Sequence, residues 1–200
     1  MGFKIQNLSE TIVSFQIGQS TLIFELNNDL KNPIYHYAFN IPSNQIEEAK
    51  EWLASRTTLV KDTEGNDLID FSNWNARALY FYDSIGNIGE LIARDDLDDY
   101  SETAFSSNSI YSISEIGLPV ADVLNFKTQV QKHFDVPIYK AGSAKFAPLG
   151  DEHGLFICVP LDRVWFPTTD LKSASFPVRV EIEGKSNEVL KYEKYTIISS

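Results

Sequence analysis

Between Tyr35 and Arg94, short apolar runs of strand type bracket one stretch of helical period. Tyr35-His36-Tyr37-Ala38-Phe39-Asn40-Ile41 is rich in aromatic residues and is stopped by Pro42, which predicts a strand. Alternation puts His36, Ala38 and Asn40 on one face and Tyr37, Phe39 and Ile41 on the other. Ile46, Ala49 and Leu53 then fall at i, i+3 and i+7, the buried stripe of an amphipathic helix, with Glu47, Glu48 and Lys50 mainly outward. Asn44 is the expected helix cap, with Glu47 completing a capping box. Thr57 to Val60 opens the next strand. Glu64-Gly65-Asn66 is a turn, and Leu68 to Phe71 leads into Ser72-Asn73-Trp74-Asn75. Two strands, Ala78 to Tyr82 and Ile88 to Arg94, close the stretch. Their turn falls at Ser84-Ile85-Gly86-Asn87, where glycine and asparagine accept positive φ cheaply. The stretch reads β-α-β-β-β.

Partial repeats of the same pattern flank it. Phe3 to Ile5, Thr11 to Ile17 and Thr21 to Leu26 are strand-type runs, and no helical period precedes Tyr35. Three strands and no helix are therefore expected among residues 1 to 32. After Arg94 come the acidic run Asp95-Asp96-Leu97-Asp98-Asp99 and a series of small polar residues. Their low apolar content makes 97–109 a linker. From residue 110 the pattern returns. Ile113 to Val120 is a strand resembling that of His36. Asp122 caps a helix whose Val123, Phe126, Val130 and Phe134 keep the helical period. Phe146 to Val159 resembles the hairpin Phe15 to Phe24. Val164-Trp165-Phe166 and Phe176 to Ile182 are read as further strands, and Leu190 to Ile198 as an edge strand. The chain is roughly two and a half copies of one unit.

Composition narrows the classes. Two hundred residues with net charge −11 and seventeen scattered basic residues exclude a phosphate-backbone binder. No run of about 18 apolar residues is present, so no membrane span is expected. The start, Met1-Gly2-Phe3-Lys4-Ile5, lacks the pattern of a signal peptide. Cys158 is the single cysteine, so no internal disulfide forms. These features favour the cytoplasm. His133 and His153 lack metal-ligand spacing to another ligand, and there is no phosphate loop or nucleophile elbow.

The strand His36-Tyr37-Ala38-Phe39 and the run Tyr80-Phe81-Tyr82-Asp83-Ser84-Ile85-Gly86-Asn87-Ile88-Gly89-Glu90-Leu91 resemble the vicinal oxygen chelate superfamily. These are the glyoxalases, the extradiol dioxygenases and the bleomycin and fosfomycin resistance proteins. The usual turn of that family is Asp-Pro-x-Gly-Asn, and Ser84 stands here where the proline would be. The resemblance implies an α+β fold of repeated βαβββ modules with curved mixed sheets. Residues 1–96 form one glyoxalase/dioxygenase-like domain, a partial module over 1–32 and a complete one over 33–96. Residues 110–200 form a third module. The first module reads as lacking its first strand and helix.

The resemblance also implies that His36 and Glu90 bind a divalent metal, Fe, Mn, Ni or Zn. Family sites usually recruit further ligands from a partner module, and Leu22, the rough counterpart of Glu90, cannot coordinate. Metal binding is therefore expected to be weak or absent. Glu115 falls where His36 falls, but it is expected to be structural or exposed. Trp74, Arg77 and Tyr80 are the expected substrate contacts; for Arg77 a surface or rim ion pair is the more ordinary reading. No catalytic residue is singled out. The implied function is a metal-dependent glyoxalase or extradiol dioxygenase acting on a small substrate with neighbouring oxygens. The alternative is a non-catalytic binding protein of resistance or sequestration type. A homodimer is left open.

Overall fold

The computed structural model describes residues 1–184 and 187–200 and divides into two compact units, 1–115 and 116–200. The first unit opens with an antiparallel sheet in the order β1 (Lys4–Leu8), β2 (Ile12–Ile17), β3 (Ser20–Glu25). No helix occurs among residues 1–32. The turn between β2 and β3 rests on Tyr111. Gly18 has φ +53°, and a Cβ there would lie 2.0 Å from the Tyr111 carbonyl oxygen. The angle favours glycine and the close approach requires it. Gln19 N–H donates to the same carbonyl at 2.8 Å.

The second sheet of this unit holds β4 (His36–Ile41), β5 (Leu59–Val60), β6 (Ile69–Phe71), β7 (Ala76–Tyr82), β8 (Ile88–Arg94) and the start of β9 (Ser112–Val120). The order is β9-β4-β8-β7-β5, with β6 also on β7. β4 and β8 run parallel, whereas β7 and β8 are antiparallel. A parallel pair needs a crossover, and this crossover includes α1 (Ile46–Ala54). Ile46, Ala49 and Leu53 are its buried stripe, and it packs on β7 and β8. The pleat puts Phe39, Leu79 and Leu91 on one face of the sheet, and His36 and Glu90 on the other.

Two local details lock β7 and β8. Gly89 pairs with Phe81, and a Cβ on Gly89 would sit 2.3 Å from the Phe81 ring. The ring fills the space that a side chain would take. In the turn, Asp83 replaces any need for proline. Its Oδ1 accepts from the backbone N–H of Ile85 and of Asn87, both at 2.9 Å. The turn is also tied to β4. Tyr35 N–H donates to Asn87 Oδ1 and the Tyr37 hydroxyl to Asp83 Oδ2, both at 2.9 Å.

One expectation at α1 is corrected. Asn44 does not cap the helix; Gln45 holds that position without a side-chain hydrogen bond. Asn44 instead exchanges two hydrogen bonds with the backbone of Ser101, at 2.8 and 3.0 Å. A tertiary pairing that satisfies both ends of the amide outcompetes a local cap. Asp99 likewise accepts from Ser43 N–H at 2.9 Å, so residues 99–101 are fastened to the segment entering α1.

In the second unit, β10 (Ala147–Asp151), β11 (Gly154–Pro160) and the end of β9 form one sheet in that order, β10-β11-β9. β12 (Val178–Ile182), β13 (Glu188–Tyr192) and β14 (Tyr195–Ser199) form another in the order β12-β14-β13. α2 (Val123–Phe134) is capped by Asp122, whose side chain accepts from Asn125 N–H at 2.9 Å. Val123, Phe126 and Val130 are buried in a core with Leu118, Leu149, Phe156 and Tyr195. Two readings change here. Val164 makes only an isolated bridge to Lys172, so Val164-Trp165-Phe166 is not a strand. The tail is a hairpin rather than one edge strand, because Glu193 at φ +50° turns the chain. Its second strand, β14, is the centre of its sheet.

Candidate metal centre

The register of β4, β7 and β8 brings four side chains onto one face. Ala38 pairs with Glu90 across β4 and β8, and Tyr80 pairs with Glu90 across β7 and β8. Side chains two residues apart on one strand share a face, so His36 joins Glu90 and Tyr80. The other neighbour of β4 is β9, which supplies Glu115. His36, Glu90 and Glu115 each offer a ligand atom, and these atoms lie within 4.8 Å of one another. All three residues are buried, at 5%, 2% and 5% exposure.

The His36 ring is oriented from behind. Its Nδ1 lies 3.3 Å from the Ile88 carbonyl oxygen, which can only accept. The proton therefore sits on Nδ1, and the Nε2 lone pair faces the site. Nε2 stands 3.6 Å from Glu90 Oε2, and the Tyr80 ring stacks on the imidazole at 6.3 Å between centroids. Arg94, at the end of β8, is fully buried. Its Nη2 donates to Glu115 Oε1 at 2.5 Å, and its Nε and Nη2 reach Ser114 Oγ at 3.3 and 3.1 Å. The Trp74 ring lies 5.7 Å from the guanidinium carbon.

Burial dominates the electrostatics. It lowers His36 to about 4, against a smaller opposing effect of the Ile88 carbonyl, so the imidazole is neutral near pH 7. Burial raises Glu90 well above the ordinary carboxylate range, and the neighbouring Glu115 adds to this. The Tyr80 hydrogen bond and Arg94 oppose it. Glu115 is also raised by burial, with Arg94 opposing. Tyr80 is raised by burial and by both carboxylates. Two carboxylates thus share one guanidinium. The second carboxylate must hold a proton or meet a cation from outside, because an unmatched buried charge is costly.

Of the expected substrate contacts, Tyr80 lies in this group. Trp74 ends a short 3-10 turn, Ser72–Trp74, and touches the group through Arg94. Arg77 is not brought there. The pleat turns it to the other face of β7 from Tyr80. It donates to the Ser43 carbonyl at 3.0 Å and pairs with Asp95 at 2.9 Å, both partly exposed. Sequence reasoning did not gather Glu115 or Arg94 into the site. For Glu115 the signal was its position on β9, equivalent to that of His36 on β4. For Arg94 it was a cation closing a strand whose every residue is buried.

No family model matches the chain, and no curated protein matches it. Solved structures do. A "putative dioxygenase" from Bacillus subtilis aligns over 94% of this chain and 72% of its own, at TM-score 0.58 and 8% identity. Glyoxalase I from Zea mays aligns over 95% of this chain and 79% of its own, at TM-score 0.50 and 12% identity. A V278E variant of that glyoxalase aligns over 98% and 82%, at TM-score 0.52 and 11% identity. The fold is therefore the α+β, mixed-sheet fold of glyoxalase I, the one implied by the resemblance to the vicinal oxygen chelate superfamily. No helix among the described residues is long and apolar enough to cross a membrane.

Proposed function

We propose that this chain is a divalent-metal-dependent enzyme of glyoxalase or extradiol-dioxygenase type, acting on a small molecule with two neighbouring oxygens. The observation that carries the reading is the convergence of His36, Glu90 and Glu115, buried, with ligand atoms within 4.8 Å. The donor set fits a metal. One imidazole nitrogen and two carboxylates suit Mn, Fe, Ni or Zn. Two donors at about 2.1 Å from one tetrahedral ion stand about 3.4 Å apart, and Nε2 of His36 stands 3.6 Å from Glu90 Oε2. His36 is already the neutral tautomer that a ligand must be, held by a backbone carbonyl as metal-bound histidines usually are.

A bound metal would supply Lewis acidity toward adjacent substrate oxygens. Around it, the protein's groups have separate tasks. Ile88 aims the imidazole. Tyr80 hydrogen-bonds Glu90 and fixes its carboxylate. Arg94 and Ser114 position Glu115. The surrounding strands exclude water, which strengthens every charge interaction in the group. Glu115 supplies the third donor whose expected absence was the ground for a sequestration protein, and so supports the enzyme reading.

The test is elemental analysis of protein purified without chelators, followed by assays of hemithioacetal isomerisation and catechol ring cleavage with the metal found. Near-stoichiometric metal lost in a His36→Ala variant is the expected result. Metal-free protein that takes up none of Mn, Fe, Ni or Zn would defeat the proposal.

A further inference from the structure

We infer that Arg94 is the chain's own counter-cation for Glu115, and that a divalent ion occupies the His36, Glu90 and Glu115 group only in competition with it. The inference rests on the metal reading above and concerns what sets the affinity of that site. Arg94 lies four residues after Glu90 on β8, so the strand pleat returns it to the same face. Its guanidinium touches Glu115 Oε1 at 2.5 Å. Any ion bridging the three ligand atoms would share that carboxylate with it.

The guanidinium cannot escape by losing its proton, since arginine stays charged in proteins. Nor does it reach water where it stands: Arg94 is 0% exposed, held by Ser114 and flanked by Trp74. Two cations sharing one carboxylate away from water repel more strongly than they would in solvent. Of the other groups on this face, His36 is neutral and Tyr80 uncharged, and Glu90, which also feels Arg94, offsets only part of that repulsion because it serves the same ion. The permanent charge of Arg94 therefore lowers the affinity for every divalent ion alike. The ions that remain bound are those with the highest intrinsic affinity for nitrogen and carboxylate donors, Ni and Zn before Mn.

The experiment is calorimetric titration of zinc into the full chain and into an Arg94→Gln variant at the same pH. At least tenfold tighter binding by the variant is expected. Equal or weaker binding by Arg94→Gln, with the wild type still binding, overturns this inference and leaves the metal reading standing. Should the variant fail to fold, arginine side-chain nitrogen resonances of the wild type are followed during the zinc titration. Arg94 signals that shift in step with occupancy are expected, and signals that stay fixed while zinc binds overturn the inference. No zinc bound by either protein overturns this inference, and the metal reading falls with it if Mn, Fe and Ni are not taken up either.

Discussion

The imidazole Nε2 of His36 and the carboxylate Oε2 of Glu90 face each other at 3.6 Å across two parallel strands, too far apart for a hydrogen bond. With a neutral ring, this contact is no ion pair either. An ionised Glu90 facing the Nε2 lone pair gains nothing from it, so the carboxyl must hold a proton or share a cation with the ring.

Glu90→Gln separates stability from binding. Removing a buried carboxylate that burial and Glu115 both disfavour should stabilise the metal-free protein at pH 8. The same change should weaken metal affinity at least tenfold. Urea denaturation in EDTA and calorimetry with zinc read the two effects. A loss of stability in EDTA would contradict the assigned burden on Glu90.

His36 predicts an acid-side loss of stability in the metal-free protein. Its folded value of about 4 lies below the ordinary 6.5. Between these values the unfolded chain binds a proton that the folded chain refuses. Stability is therefore full above pH 6.5 and falls as pH drops toward 4, by about 3 kcal/mol in total. Glu90 acts with the opposite sign, since a raised carboxylate favours the folded state at lower pH. The measurement is accordingly a difference. Wild type should lose more stability from pH 6.5 to pH 4 than His36→Gln does, and parallel curves would refute the prediction.

Gly89→Ala should destabilise the first unit by about 1–3 kcal/mol, the usual cost of overpacking. The added methyl would meet the Phe81 ring at 2.3 Å. Phe81→Leu in the same chain should recover part of the loss, because the obstructing ring is gone. Thermal melts of the two single variants and the double variant test this coupling.

Phe126→Ala should cost about 3–5 kcal/mol in the second unit. The ring is 0% exposed and packs on Tyr192 and Tyr195 at 4.8 and 5.9 Å between centroids. Guanidinium denaturation followed by near-ultraviolet dichroism reports the loss.

Cys158 should be inert in the folded protein. It is buried, and burial pushes its thiol far up, so little thiolate forms. A disulfide reagent should titrate one thiol only after denaturant is added.

What could be read in the sequence was local. The stripes of α1 and α2, the Asp122 cap and the turn at Asp83 to Asn87 depend on residues close in the chain. The placement of His36 and Glu90 followed from a resemblance that quotes one contiguous stretch. What could not be read depended on distant pairing. Glu115 enters the site because β9 lies beside β4, and Arg94 is buried because Ser114 and Glu115 arrive to meet it. Asn44 gave up its cap for Ser101, 57 residues away. The Val164 to Phe166 run was apolar and aromatic without a neighbour to complete its ladder. Apolar pattern predicts that a residue is buried more reliably than it predicts which strand lies beside it.

The hydrogen bond from Ile113 N–H to Ser20 Oγ joins residues 93 apart, close to the two ends of the first unit. Chains rich in such distant contacts fold slowly, because closure entropy is met before the contact repays it. During synthesis, β1 to β3 leave the ribosome long before the strand that seats them, and Ile5, Leu8, Ile23 and Leu26 stay exposed even in the complete fold. Of the three buried residues that converge, Glu115 emerges last, after His36 and Glu90. A nascent chain therefore cannot bring His36, Glu90 and Glu115 together until the whole unit has been made.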